Sequence, residues 1–227
     1  MKRRARALAA PLLVVGTAAL ADAPLVSETA DVIGADSCQV EAAATRARAR
    51  GQGPLHGYDM LGSCGLHGHS QLAFGFSGDR GDGTVSRSAR IFDKITLVAP
   101  EAGRTGLGLR IGLGADQLPD DSWHPEGLEV LGLMTREIAP ALLLHVNLGH
   151  LYERSAHTGK TVWSIGIETA ADTTLAADAF GDDRSRPWLS AGIGHRFGRG
   201  FSANASFAVQ FERPRVRQLS LGAKIEF

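Results

Sequence analysis

The C-terminal stretch VRQLSLGAKIEF, residues 216–227, constrains this chain more than any other. Leu219, Leu221, Ala223, Ile225 and Phe227 share one parity, while Gln218, Ser220, Gly222, Lys224 and Glu226 share the other. Side chains on a strand alternate between its faces, so this segment has one apolar face and one polar face. The pattern recurs upstream. Leu107, Leu109, Ile111 and Leu113 alternate with Gly108, Arg110, Gly112 and Gly114. Phe201, Ala203, Ala205, Phe207, Val209 and Phe211 alternate with Ser202, Asn204, Ser206, Ala208, Gln210 and Glu212.

The N-terminus reads as a secretory signal peptide over residues 1–21. Lys2, Arg3, Arg4 and Arg6 precede an apolar run, and Ala19-Leu20-Ala21 fits the small-x-small cleavage rule. Removal of that segment takes four basic residues and no acidic ones, leaving a mildly acidic mature chain. An acidic balance argues against a nucleic-acid partner.

After the signal, no apolar run approaches the roughly 18–20 residues that a membrane helix needs. Hydrophobic residues nevertheless make up 44% of the sequence. They are spread at alternate positions, which is how a transmembrane β-barrel carries its hydrophobicity. The expected fold is all-β, an antiparallel up-and-down barrel of about twelve strands, over residues 37–227. Residues 22–36 are small and acidic and are expected to form a loose periplasmic leader.

The twelve expected strands are 37–47, 56–64, 69–78, 85–98, 104–115, 126–137, 140–152, 160–171, 173–181, 187–197, 201–212 and 216–227. The first, second and sixth alternate least clearly. Connections should then alternate between long outer loops and short inner turns. Ten strands result if the first hairpin is periplasmic or the third and fourth strands pair differently. Cys38 begins the first strand and Cys64 ends the second, so antiparallel pairing places both at one rim. In an oxidising periplasm they are expected to form a disulfide.

A terminal aromatic closing an alternating strand resembles the C-terminal signal of bacterial outer-membrane β-barrels. That resemblance implies that Phe227 is the residue read by the barrel-assembly machinery. A second resemblance rests on MTREIAPALLLHVNLGHLY, residues 134–152. The TRE-hydrophobic-x-P turn followed by LLLHVNLGH resembles the proteobacterial outer-membrane family associated with phenol meta-pathway degradation. It implies a Gram-negative outer-membrane location, contact with outer-membrane lipid, and passive transport of small, aromatic or hydrophobic solutes. Asp93, on the parity expected to face lipid, departs from that family's pattern.

The inward parity carries Glu41, Arg90, Lys94, Arg110, Glu129, Glu168, Asp178, Arg196, Lys224 and Glu226, with His145 and Asn147 beside them. Five of these are basic and five acidic, so they are expected to pair across the lumen. Such a lumen is either a narrow polar channel or a closed plug of ion pairs, in which case the barrel has a structural or surface-binding role.

No cofactor or metal is expected. Cys64, His67 and His69 have a suggestive spacing but lack a matched second pair, and they read as a turn. The two GLG repeats within 106–114 are followed by no helix and form no nucleotide fingerprint. A lipid-modifying enzyme would need a nucleophile and histidine near the lipid-facing wall, where His150 and His195 lie. No serine spacing stands out around them, so a non-enzymatic protein is expected.

Overall fold

The computed structural model describes residues 25–117, 122–198, 200–211 and 214–227. The expected signal peptide lies outside them. Twelve strands form a closed antiparallel barrel: β1 (Cys38–Ala49), β2 (Pro54–His67), β3 (Ser70–Gly81), β4 (Thr84–Val98), β5 (Gly106–Gln117), β6 (His124–Ala139), β7 (Leu142–Glu153), β8 (Thr158–Thr169), β9 (Thr173–Asp182), β10 (Trp188–Arg196), β11 (Phe201–Gln210) and β12 (Val216–Glu226). Each strand pairs with its neighbour in sequence, and β1 closes the ring on β12 from Gln39↔Glu226 to Ala49↔Val216. Closure leaves no open edge, so every strand finds its backbone partners within the wall. At the seam's end, Cys38 N–H donates to Phe227 O at 2.8 Å, and Phe227 N–H donates to Cys38 O at 2.9 Å.

Alternation then sorts the side chains. Leu219, Leu221 and Ile225 of β12 face outward and are exposed, as are Phe74, Ile111, Leu148, Leu175, Ile193 and Phe207 elsewhere. In water such a surface would be far larger than the apolar patches soluble monomers tolerate. It suits a hydrocarbon surround. Asp93 also faces outward, between Leu72 of β3 and Ile111 of β5.

The chain enters and leaves at one rim, here the terminal rim; the other is the far rim. The expected contrast between long and short connections is weak. Far-rim links run over 50–53, 82–83, 118–123, 154–157, 183–187 and 211–215, whereas the longest link, 99–105, lies at the terminal rim. The reason is strand extension. The ladders of β2, β3 and β6 run past their expected ends and absorb loop residues. Asp82 and Gly83 then complete a two-residue hairpin with φ of 48° and 80°. Both being left-handed gives the primed turn that matches strand twist.

Cys38 and Cys64 are register partners on β1 and β2 and are joined by a disulfide. The bridge closes 26 residues of separation at the terminal rim. Cys38→Ser is expected to lower the unfolding free energy of the refolded barrel by about 3 kcal/mol through the freer unfolded chain. Urea unfolding monitored by loss of heat-modifiable migration measures this. An unchanged midpoint would show that the bridge contributes nothing to stability.

Candidate functional site: an occupied lumen

The inner face is polar, and it is occupied. Residues 25–36 leave the terminal rim, run into the barrel and lie against its inner wall. Leu25, Ser27, Glu28 and Ala30 are buried there. The expectation of a loose leader is therefore corrected.

The physical reason lies in the segment's backbone partners. An irregular chain inside a barrel cannot pair as a ladder, and its buried N–H and C=O groups need other partners. Inward side chains supply them. Asp178 on β9 accepts Val26 N–H at 3.0 Å, Ser27 N–H at 3.2 Å and Ser27 Oγ at 2.6 Å. Asn147 on β7 brackets Glu28, accepting its N–H at 2.7 Å and donating to its carbonyl at 2.9 Å. Thr135 Oγ1 accepts Ala30 N–H at 2.8 Å, and Thr96 Oγ1 donates to Ala30 O at 2.8 Å. Gln71 Oε1 accepts Ile33 N–H at 3.1 Å, and Ala35 bridges Gly65 in parallel.

Three glycines, Gly65, Gly108 and Gly166, make room for it. A Cβ at Gly65 would sit 2.2 Å from Gly34 O, and one at Gly166 would sit 2.8 Å from Ser27 Oγ. Ala30 packs against Leu131 and Leu133 of β6. That packing explains why the sixth strand alternates poorly in sequence: its inward leucines cover the segment.

The residues expected at the lumen fall into three groups. Glu41, Lys94, Glu168, Arg196, Lys224 and Glu226 line a space of about 950 Å³ towards the terminal rim. Arg90, Arg110, Glu129 and Asn147 line a recess of about 250 Å³ towards the far rim. His145 and Asp178 are buried against the segment that separates the two spaces.

Ion pairs form, some within the inward list and two with partners it did not contain, Asp59 and Glu28. Arg90 Nη2 pairs with Asp59 of β2 at 3.0 Å. Arg110, only 5% exposed, pairs with Glu28 of the segment and with Glu129 of β6, its Nε donating to Glu129 at 3.0 Å. Its guanidinium also lies 5.0 Å over the Phe92 ring. Lys224 pairs with Glu226 at 2.9 Å. Glu168 meets His145 Nε2 at 3.2 Å, and His145 Nδ1 meets Thr135 Oγ1 at 3.0 Å. With its proton on Nε2, the imidazole donates to Glu168 and accepts from Thr135.

That hydroxyl–imidazole–carboxylate row has the order of a hydrolytic triad. Here Thr135 is buried beneath the segment and already accepts Ala30 N–H, so the row positions the segment. On the outer wall, His195 meets Thr173 Oγ1 at 2.8 Å and packs edge-on against Phe197. The described residues contain no group of three or more His, Cys, Asp or Glu able to hold a metal, and Cys64 is consumed by the disulfide.

The far-side recess has a different character. Phe92, Leu131, Leu151, Val162, Phe180 and Trp188 contribute to its lining. Phe180 and Trp188 stack with an interplanar angle of 2°. Trp188 is 7% exposed, and its buried Nε1–H has no acceptor among the described residues. An indole N–H left unpaired in an apolar wall costs free energy unless something that enters the recess accepts it.

A family model described as "Uncharacterised conserved protein UCP029691" matches residues 9–227. No curated protein matches. Among solved structures the chain is similar to the KdgM porin in complex with disordered oligogalacturonate, with TM-score 0.65 at 8% identity over 83% of this chain and 99% of that one. It is similar to the COG4313 outer membrane channel from Pseudomonas putida F1, with TM-score 0.59 at 10% identity over 87% and 97%. The outer membrane phospholipase A from Escherichia coli aligns with TM-score 0.53 at 9% identity over 84% and 92%. Identities this low carry the fold alone, and the fold is that of outer-membrane barrels. The matched family's description says nothing of phenol degradation, so the expected resemblance holds for the barrel and goes no further.

Proposed function

The chain belongs to this uncharacterised family, and we propose that it is a passive outer-membrane channel whose own N-terminal segment narrows the lumen. In this reading the terminal rim faces the periplasm, Phe227 serves the assembly machinery, and the outward apolar wall meets lipid. The channel-like neighbours support the architecture.

The observation that carries the solute class is the far-side recess. Aromatic walls, a volume of about 250 Å³ and an unpaired indole donor suit a small molecule with an apolar ring and one hydrogen-bond acceptor. Arg90, Arg110 and Lys160 on its lining are outnumbered by Asp116, Glu126, Glu129, Glu153 and Asp182, so the acceptor it suits is a neutral one.

Block of single-channel current in a planar bilayer tests this, using a mature barrel relieved of residues 25–36 so that current flows. Added acetophenone, a neutral ring with one carbonyl acceptor, is expected to block, and Trp188→Ala should weaken the block by about tenfold through loss of ring contact and donor together. Equal block of both barrels would remove the recess from the pathway. A barrel that carries no current even without the segment would favour the closed structural reading.

A further inference from the structure

We propose that the outer wall near the far rim holds a phosphorylated lipid headgroup in a one-sided collar of arginines. The proposal rests on the outer-membrane reading, which puts that rim at the external leaflet. Arg217 of β12 stands directly opposite Arg48 of β1. Two residues further down β1, Arg46 faces His56 of β2, which in turn faces Arg80 of β3. All five side chains are exposed. Strand alternation places them on the outer face, with Val40 and Ala42 of β1 and Leu219 and Leu221 of β12. The outward strand positions from β12 to β3 carry no carboxylate among the described residues.

Like charges directly opposite one another destabilise a sheet, and four guanidinium groups in adjoining rows add to that cost. A shared anion between them turns the repulsion into attraction. The guanidinium fork fits phosphate oxygens two at a time. Arg48, Arg50, Arg186, Arg215 and Arg217 surround a recess of about 840 Å³ at the same rim, with Phe211 in its side. Arg215 lies 5.4 Å over the Phe211 ring. Directly below the cations the wall is apolar, with Tyr58, Phe76, Phe207 and Leu219 exposed. An anion held here has acyl-compatible surface beneath it, which a soluble anion would not use. Phosphate on an acylated body is the chemistry that fits both surfaces.

The test uses the mature full-length barrel, purified in detergent and shown to be folded by heat-modifiable migration. It is titrated with lipopolysaccharide and with the same material after enzymatic dephosphorylation, and binding is read by native mass spectrometry. The phosphorylated form is expected to bind about tenfold more tightly, with that preference falling as salt rises. R48Q/R217Q should abolish the preference, and R46Q/R80Q should reduce it and serves if the first pair folds poorly. Equal binding of the two lipids, or wild-type preference in both variants, overturns the collar. Displacement of the lipid by an equal concentration of inorganic pyrophosphate also overturns it, because the site would then serve a soluble anion. Recovery of the native protein outside the outer-membrane fraction overturns the membrane reading itself. Loss of phosphate preference in a barrel that still fractionates there overturns the collar alone.

Discussion

A barrel lacking residues 25–36 is expected to conduct several-fold more current in a planar bilayer than the full chain. The expectation follows from where the segment lies. It sits between the terminal-rim space and the far-side recess, anchored by Asp178, Asn147, Thr135, Thr96 and Gln71. Those anchors belong to the wall and stay behind as a polar, hydrated lining once the segment is gone. The deletion also removes Glu28, Asp31 and Asp36 from the chain. Arg110 then keeps Glu129 as its partner but loses Glu28, so the lumen becomes more cationic. The reversal potential in a salt gradient should move towards anion selectivity. A milder variant, Gly166→Leu, drives a side chain into Ser27 and should give intermediate conductance. If conductance and reversal potential are the same with and without the segment, it does not restrict the pore.

Arg110→Met is the substitution with the largest expected cost in stability. The guanidinium is buried between two carboxylates from different parts of the chain and over an aromatic ring. Methionine leaves Glu28 and Glu129 facing each other without a cation. Breaking a buried pair from one side costs about 3–5 kcal/mol. Glu28→Gln should cost far less, about 1 kcal/mol, because Arg110 keeps Glu129 and a glutamine oxygen can still accept. Urea unfolding of the refolded proteins measures both. An Arg110→Met barrel as stable as wild type would show that water, not the two carboxylates, satisfies this arginine.

The wall of the barrel was legible in the sequence and its contents were not. Period-two alternation reports which face a residue takes, so β5, β8, β11 and β12 emerge from Leu107–Leu113, Trp163–Ile167, Phe201–Phe211 and Leu219–Phe227. β6 blurs because Leu131 and Leu133 are apolar on the inner face, where they pack Ala30. β2 blurs around Gly57, Tyr58 and Asp59, and Asp59 was therefore missed as the partner of Arg90. The segment itself has no periodicity to read. Its place is set by single side-chain bonds to backbone groups, which leave no pattern along the chain. The signal that could have exposed it is on the wall: inward Asn147, Asp178 and Thr135 beside Gly65 and Gly166, too many polar acceptors next to too little bulk for a lumen filled by side chains alone. Trp188 stands near a strand end, where an aromatic residue is expected to anchor a barrel at the membrane interface, whereas it faces the far-side recess.

The position of the segment in the chain has a consequence for any solute that competes with it. It joins directly to β1, and Ala35 and the Cys38–Cys64 bridge hold its base at the rim. It is therefore a tethered ligand, and release of residues 25–33 need not disturb the ladder. A tether this short keeps an effective concentration on the order of millimolar over the lumen. A free molecule of equal affinity would have to reach that concentration before it held the segment out half of the time. Selectivity in such a channel is then partly a matter of dose: dilute solutes meet a closed door, and abundant ones keep it open by mass action.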